Sequence, residues 1–246
     1  MATNTHIEWT EATWNPVTGC TKTSPGCANC YAERMTRRLK AMGSHNYRKG
    51  FKVTTHPAML DYPLGWRKPR MIFVNSMGDL FHENVPVSFI QRVFNVMESA
   101  HWHTYQALTK RAERLFDIAP ELPWPDNVWM GVTVEDKEHL YRIDSLRATK
   151  AKVKFISFEP LLEQIGKVDL TGIDWAIVGG ESGPGARPMQ PEWARELRDQ
   201  CIKAKVPFFF KQWGGFNKKK AGKILDGKIW MRMPETDITS PTNIAR

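Results

Sequence analysis

Val128-Trp129-Met130-Gly131-Val132-Thr133 is followed at once by Val134-Glu135-Asp136 and then by a helical pattern that runs from Asp136 to Leu146. Six apolar or β-branched residues suit a buried strand, the acidic pair marks its polar end, and the helix returns the chain for another strand. The same order recurs along the sequence. Strands are expected near Ile7 to Thr13, Met71 to Asn75, Tyr105 to Thr109, Val128 to Thr133, Lys154 to Phe158, Trp175 to Val178, and Val206 to Lys211. Helices are expected at Cys30 to Met42, Val87 to Ala100, Asp136 to Leu146, and Pro191 to Ala204. The second carries Phe89, Ile90, Val93, Phe94 and Met97 at three- and four-residue spacing, one apolar face. Pro191 falls in a first turn, where no hydrogen-bonding donor is lost. Repeated parallel strand–helix units wind with one hand, so the expected fold is α/β, a partial or complete parallel (β/α) barrel of TIM-like type. The barrel core is expected over residues 7–215 of a single domain. Residues 43–70, rich in Gly, His, Pro and aromatics, read as an insertion or lid, and 216–246 as a C-terminal extension.

In such a fold, ligands meet the carboxyl ends of the strands. Polar residues stand at those ends after every strand but the first: Asn75, Ser76 and Asp79; Thr109, Lys110 and Arg111; Thr133, Glu135 and Asp136; Ser157 and Glu159; Glu181 and Ser182; Lys211, Gln212 and Trp213. Solvent-facing loops are polar in any case, but ionisable groups after nearly every strand point to one shared site. Glu181 follows the paired glycines Gly179-Gly180, which let backbone approach a ligand, and Glu159 precedes Pro160, which restricts the backbone that carries it. Either acid could bind ribose hydroxyls or a base edge, Lys211 or Arg187 a phosphate, and Trp213 a base face.

The first strand leads into Cys20, Cys27 and Cys30, with six residues between the first two and two between the last. Three thiols within eleven residues suit a ligand set better than core filling. A zinc site would need a fourth ligand, for which His6, His45 or His56 is available, whereas an iron–sulfur cluster on three thiolates leaves one iron open to an outside ligand. Cys27 and Cys30 also have the spacing of a redox pair. Cys201 lies inside the helix Pro191 to Ala204 and reads as a small core residue.

No Ser/Gly-rich linker divides the 246 residues, and apolar runs such as Val206-Pro207-Phe208-Phe209-Phe210 are far too short to span a bilayer. The amino terminus has no basic start followed by an apolar stretch, so a reducing cytoplasm is the expected setting. A net charge of +9 favours a polyanionic partner, nucleic acid first, although any one basic cluster also reads as a solvated helix face. The ten tryptophans read mainly as core.

The cysteine trio, the strand before it and the order of elements together resemble the radical SAM superfamily, nearest to spore photoproduct lyase-like proteins and to a phage-associated family with the same three-cysteine signature. That resemblance implies a [4Fe-4S] cluster on Cys20, Cys27 and Cys30 and S-adenosyl-L-methionine on the open iron. It also implies an electron donor as partner, and reductive cleavage of the cofactor directed at a nucleic acid or nucleotide, DNA repair or base modification. It further implies that Asn75-Ser76-Met77-Gly78-Asp79 holds the cofactor's amino group, Asp79 foremost, and that Lys110 approaches the cofactor carboxylate or a substrate phosphate. The usual spacing in that superfamily is three and two, against six and two here, and Gly179-Gly180-Glu181 follows the sixth strand where the superfamily's similar triplet follows the second. The reading from another class is a non-catalytic zinc- or cluster-stabilised nucleic-acid-binding protein.

Overall fold

Alternate residues of a strand face opposite ways, and here the two faces build two separate layers. The computed structural model describes residue 5 and residues 7–235. Strands β1 (Ala12–Trp14), β2 (Met71–Val74), β3 (Thr104–Thr109), β4 (Val128–Thr133), β5 (Val153–Phe158), β6 (Trp175–Gly179) and β7 (Phe208–Gln212) form one seven-stranded sheet. Order in the sheet is order in the chain, and every neighbouring pair is parallel. The sheet is a half-barrel, a partial barrel of TIM-like type with α/β connectivity.

On the outer face, Ile72, Val74, Tyr105, Ala107, Val128, Met130, Val132, Ile156 and Phe158 pack in one large cluster. Helices α1 (Tyr31–Ala41), α2 (Val87–Ser99), α3 (Ala112–Ile118), α4 (Arg142–Arg147) and α5 (Pro191–Ala204) connect the strands. The five apolar residues expected to line α2 are all buried. The other face carries a second cluster in which Trp175 touches Trp9, Trp129, Phe155 and Phe209, with ring centroids 5.5–6.1 Å apart. These rings fill the floor of the half-barrel; full burial of aromatics of this size is among the largest single gains available to a core.

The first strand is shorter than expected, because the chain turns at Trp9 to drop that indole into the floor before Ala12 joins the sheet. The helix expected from Asp136 to Leu146 divides into a short turn, Lys137–His139, and α4. An Asp136–His139 side-chain contact of 2.5 Å tightens the first part, and Arg142 is drawn inward to the Thr133 carbonyl at 2.8 Å. Residues 43–70 contain three single turns and Thr54–Thr55, which pairs antiparallel with Val17–Thr18. Trp14 Nε1 donates to the Met59 carbonyl at 2.7 Å and Trp102 Nε1 to that of Trp66 at 2.7 Å, so both indoles tie this segment to the body. The far edge of β7 is covered by the chain at 230–232: Phe210 N donates to the Trp230 carbonyl and Arg232 N to that of Phe208. Among the described residues, no helix is long and apolar enough to cross a membrane.

Candidate functional site

Continuing along the inward-facing positions, hydrophobic side chains give way to charge. Below lie Leu108, Trp129, Phe155, Ile177 and Phe209; two, four or six residues further on come Lys110, Glu135, Glu159, Glu181 and Lys211. A period of two along parallel, in-register strands makes such a stack, apolar floor and ionised mouth, without special devices.

Glu135, beyond β4, is fully buried. Its carboxylate pairs with Lys110 Nζ at 3.0 Å and Arg142 Nη1 at 2.8 Å and accepts from Ser24 Oγ at 2.5 Å. Burial pushes this carboxyl up, but the two cations outweigh it and hold it below the ordinary range. Glu159, beyond β5, pairs with Lys211 Nζ of β7 at 2.8 Å and accepts from Ser157 Oγ at 3.2 Å. The strand between them must offer no side chain: a Cβ on Gly179 would lie 2.5 Å from Glu159 Oε1. Glu181, beyond β6, receives the Arg187 guanidinium at 2.6 and 2.9 Å, the Arg187 backbone N–H at 2.9 Å and Asn29 Nδ2 at 3.0 Å. Burial again pushes upward and these donors overcome it, holding Glu181 at about 2.

At the end of β2 the polar residues serve each other. Asn75, with φ 62°, accepts the Val17 N–H on Oδ1 at 3.1 Å, and Ser76 Oγ donates to Asn15 Oδ1 at 3.2 Å. Asp79 is buried, and its oxygens accept from Thr109 Oγ1 at 2.8 and 2.9 Å, from Lys110 N at 3.1 Å and from Phe81 N at 2.9 Å. It fastens the end of β3 to the end of β2. Asn75 Nδ2 is buried with no hydrogen-bond partner among the described residues, although its amide orientation is fixed by the bond on Oδ1.

The cysteine loop crosses this mouth. Cys20 follows Gly19, whose N–H donates to the Met77 carbonyl at 2.9 Å, while the Cys20 N–H reaches Phe51 at 3.2 Å. Arg111 Nη2 lies 3.7 Å from Cys20 Sγ and donates to Thr21 Oγ1 at 2.8 Å, and Thr21 Oγ1 meets His82 Nε2 at 2.9 Å. Cys27 ends the single turn Pro25–Cys27, with Sγ 3.7 Å from Ser24 Oγ, and Cys30 caps α1. From there the loop is pinned to distant strand ends: Ser24 to Glu135, the Pro25 carbonyl to Arg187 Nη2 at 2.9 Å, Asn29 to Glu181, and Arg34 to the Ser182 carbonyl at 2.9 Å. A Cβ on Gly26 would meet Glu135 Oε1 at 2.5 Å, so the turn lies directly on that carboxylate.

All three cysteines are half-buried free thiols. Burial and the neighbouring Asp79 charge push Cys20 up to about 11 against the pull of Arg111, while burial alone pushes Cys201, on the buried face of α5, up to about 12. Among the described residues no three His, Cys, Asp or Glu side chains converge at metal-binding closeness. His56 bonds Thr18 Oγ1 at 2.8 Å and His45 contacts Arg48, while His6 lies outside the described residues. Asn75, Ser76, Asp79, Lys110, Glu159 and Glu181 all stand at one end of the half-barrel, the end that also carries the cysteine loop. Sequence reasoning did not find Ser24, Asn29, Arg34, Arg111 or His82 as its fasteners. Their partners lie 61 to 152 residues away along the chain, and spacing carries no trace of such pairs.

The chain belongs to the family described as "Protein of unknown function (DUF5131)", whose model matches residues 4–234. No curated protein matches it. Among solved structures it is similar to one titled "Spore photoproduct lyase complexed with dinucleoside spore photoproduct", at 11% identity and a TM-score of 0.37. The match covers 76% of this chain and 59% of that chain, less than two thirds of its length.

Proposed function

We propose that this member of the family is an iron–sulfur enzyme of the radical SAM kind, in which Cys20, Cys27 and Cys30 hold a [4Fe-4S] cluster, S-adenosyl-L-methionine binds beside it, and a nucleic acid or nucleotide is repaired or modified. The supporting observation is that one loop with three soft thiols, between the first strand and first helix, is fastened across the charged mouth of a parallel half-barrel. Three thiols on one loop suit a cluster with an open position better than closed structural zinc, which takes four ligands; among the described residues no three His, Cys, Asp or Glu side chains stand together, so loading would have to draw the three thiols inward. When bound, the cluster and cofactor would supply one-electron cleavage of S-adenosyl-L-methionine, drawing on an electron donor in a reducing cytoplasm.

The chain's own part is binding and orientation. Asn75 Nδ2, an unsatisfied buried donor beside the Cys20 strand end, suits a carboxylate oxygen of an amino-acid ligand. Glu159 and Lys211, both partly exposed in the mouth, offer an acceptor for ribose hydroxyls and a cation for phosphate. Lys110 offers a second cation when it turns from Glu135, with Ser76 as a neighbouring hydroxyl. Asp79 and Glu181 act as braces, because their oxygens already accept from Thr109, Lys110, Arg187 and Asn29.

The test is anaerobic reconstitution with iron and sulfide, read by absorption and electron paramagnetic resonance with and without S-adenosyl-L-methionine. A cubane signal perturbed by the cofactor is expected, and Cys20→Ala should lose the cluster and cofactor cleavage together. Tightly held zinc with no competent cluster overturns the reading in favour of the non-catalytic, metal-stabilised binder.

A further inference from the structure

Residues 21–70 contain eleven Lys and Arg against two acids, a net charge of +9, which is that of the entire chain; the other 196 residues carry 24 cations and 24 anions and cancel. The whole charge excess therefore belongs to the excursion between β1 and β2, which includes the cysteine loop and α1. Nine of its eleven cations are exposed, Arg34 and Arg70 being the half-buried pair. Glu33 engages Arg37 at 2.7 Å and Lys22 at 4.0 Å, but Arg38, Lys40, Lys49 and Lys52 have no acidic partner among the described residues. Cations without counter-charge on one excursion of the chain draw an anion to it.

The fold brings part of this charge together. Ser44 N–H returns to the Leu39 carbonyl at 3.0 Å, folding the turn at 45–50 back on the end of α1, and the Lys40 side chain runs beside Gly50, next to Arg48 and Lys49. Phe51 accepts the Cys20 N–H, so the same turn abuts the first cysteine. At the other end of α1, Tyr31, directly after Cys30, is 60% exposed. Cations thus stand along the excursion from the outer end of α1 to the first cysteine, and an exposed aromatic ring adjoins the third. An exposed ring beside a line of cations is the equipment for a flexible nucleic-acid strand, phosphates on the cations and a base on the ring. A membrane surface would instead call for a continuous apolar face, whereas Met35 and Leu39 of α1 are turned inward and half-buried.

We infer that the excursion between β1 and β2 is the grip for a single nucleic-acid strand, with Arg38, Lys40, Lys49 and Lys52 on its phosphates and Tyr31 stacking where the strand enters the mouth. This rests on the nucleic-acid part of the reading above and is independent of its iron–sulfur part. The test is fluorescence anisotropy of a labelled single-stranded 20-mer oligodeoxynucleotide titrated with the full chain in 50–200 mM KCl. The quadruple variant Arg38→Gln/Lys40→Gln/Lys49→Gln/Lys52→Gln should flatten the dependence of log affinity on log salt by about 3 and lose roughly 100-fold or more at 0.1 M. A control that removes equal charge elsewhere, Lys150→Gln/Lys167→Gln/Lys203→Gln/Lys228→Gln, should stay within about threefold of the natural chain. The milder Lys49→Gln/Lys52→Gln, with half the slope change, guards against a folding defect. Equal loss in variant and control, or equal affinity in all, overturns the inference while leaving the nucleic-acid reading intact. No binding of the 20-mer by the natural chain, with binding of anionic phospholipid vesicles instead, overturns both, and the cluster's paramagnetic signal with S-adenosyl-L-methionine is read separately on the same samples.

Discussion

Glu135 sits wholly out of water with Lys110 and Arg142 on its oxygens and the Ser24 hydroxyl between them. Removing one member of such a group strands the others, so Glu135→Ala should cost about 3–5 kcal/mol in urea unfolding, far more than loss of an exposed acid. Glu181 has a different signature. Its carboxyl titrates at about 2 in the fold against 4.5 in an unfolded chain, so the stability it contributes is present in full above pH 4.5 and lost as pH falls toward 2. The natural chain should therefore exceed Glu181→Gln by up to about 3 kcal/mol at pH 6, with the gap closing progressively between pH 4.5 and 2. Both acids were visible in the sequence as polar strand ends. Their use was not: that Glu135 meets a serine 111 residues earlier, and that Asp79 is consumed by Thr109, follow only from the folded register.

At the level of elements, the sequence read best where a pattern was long. β4 and α5 have the expected limits, and α2 buries the five residues its periodicity named. The seven-residue α3 went unread because Ala112, Leu115 and Ile118 make only two turns of pattern, and α4 lost its first half to the contact between Asp136 and His139. The cysteine loop is the element most exposed to test. Beside Ser24 on Glu135 and Arg187 on the Pro25 carbonyl, its hold on the rest runs through Asn29 and Arg34, which reach the end of β6. Asn29→Ala/Arg34→Ala should speed hydrogen exchange and proteolytic nicking across residues 21–35 while β3 to β6 stay protected. Gly179→Ala works one layer down. Its Cβ would displace Glu159 from Lys211, and a loss of about 1–3 kcal/mol in a denaturant titration is expected.

For the molecule as a whole, strand–helix alternation was enough to give a parallel barrel, partial or complete, because each connection admits few alternatives once consecutive strands must lie side by side; that the sheet stops at a half-barrel comes from the structure. The separation into an aromatic floor and an ionised mouth was only half legible: the polar ends stood out, whereas the meeting of Trp9, Trp129 and Trp175 needs the curvature of the sheet. Trp175 is the common neighbour of that floor, so Trp175→Ala should cost about 3–5 kcal/mol and lower the cooperative unfolding of every strand together. The strand order also has a consequence in time. Because position in the sheet repeats position in the chain, each strand leaving the ribosome can add to an edge already laid, with no gap kept open for a later arrival. The growing edge is bare at every stage until β7 and the covering segment at 230–232 emerge, so a nascent chain stalled before residue 208 would present an open, paired-on-one-side strand to its neighbours on the polysome.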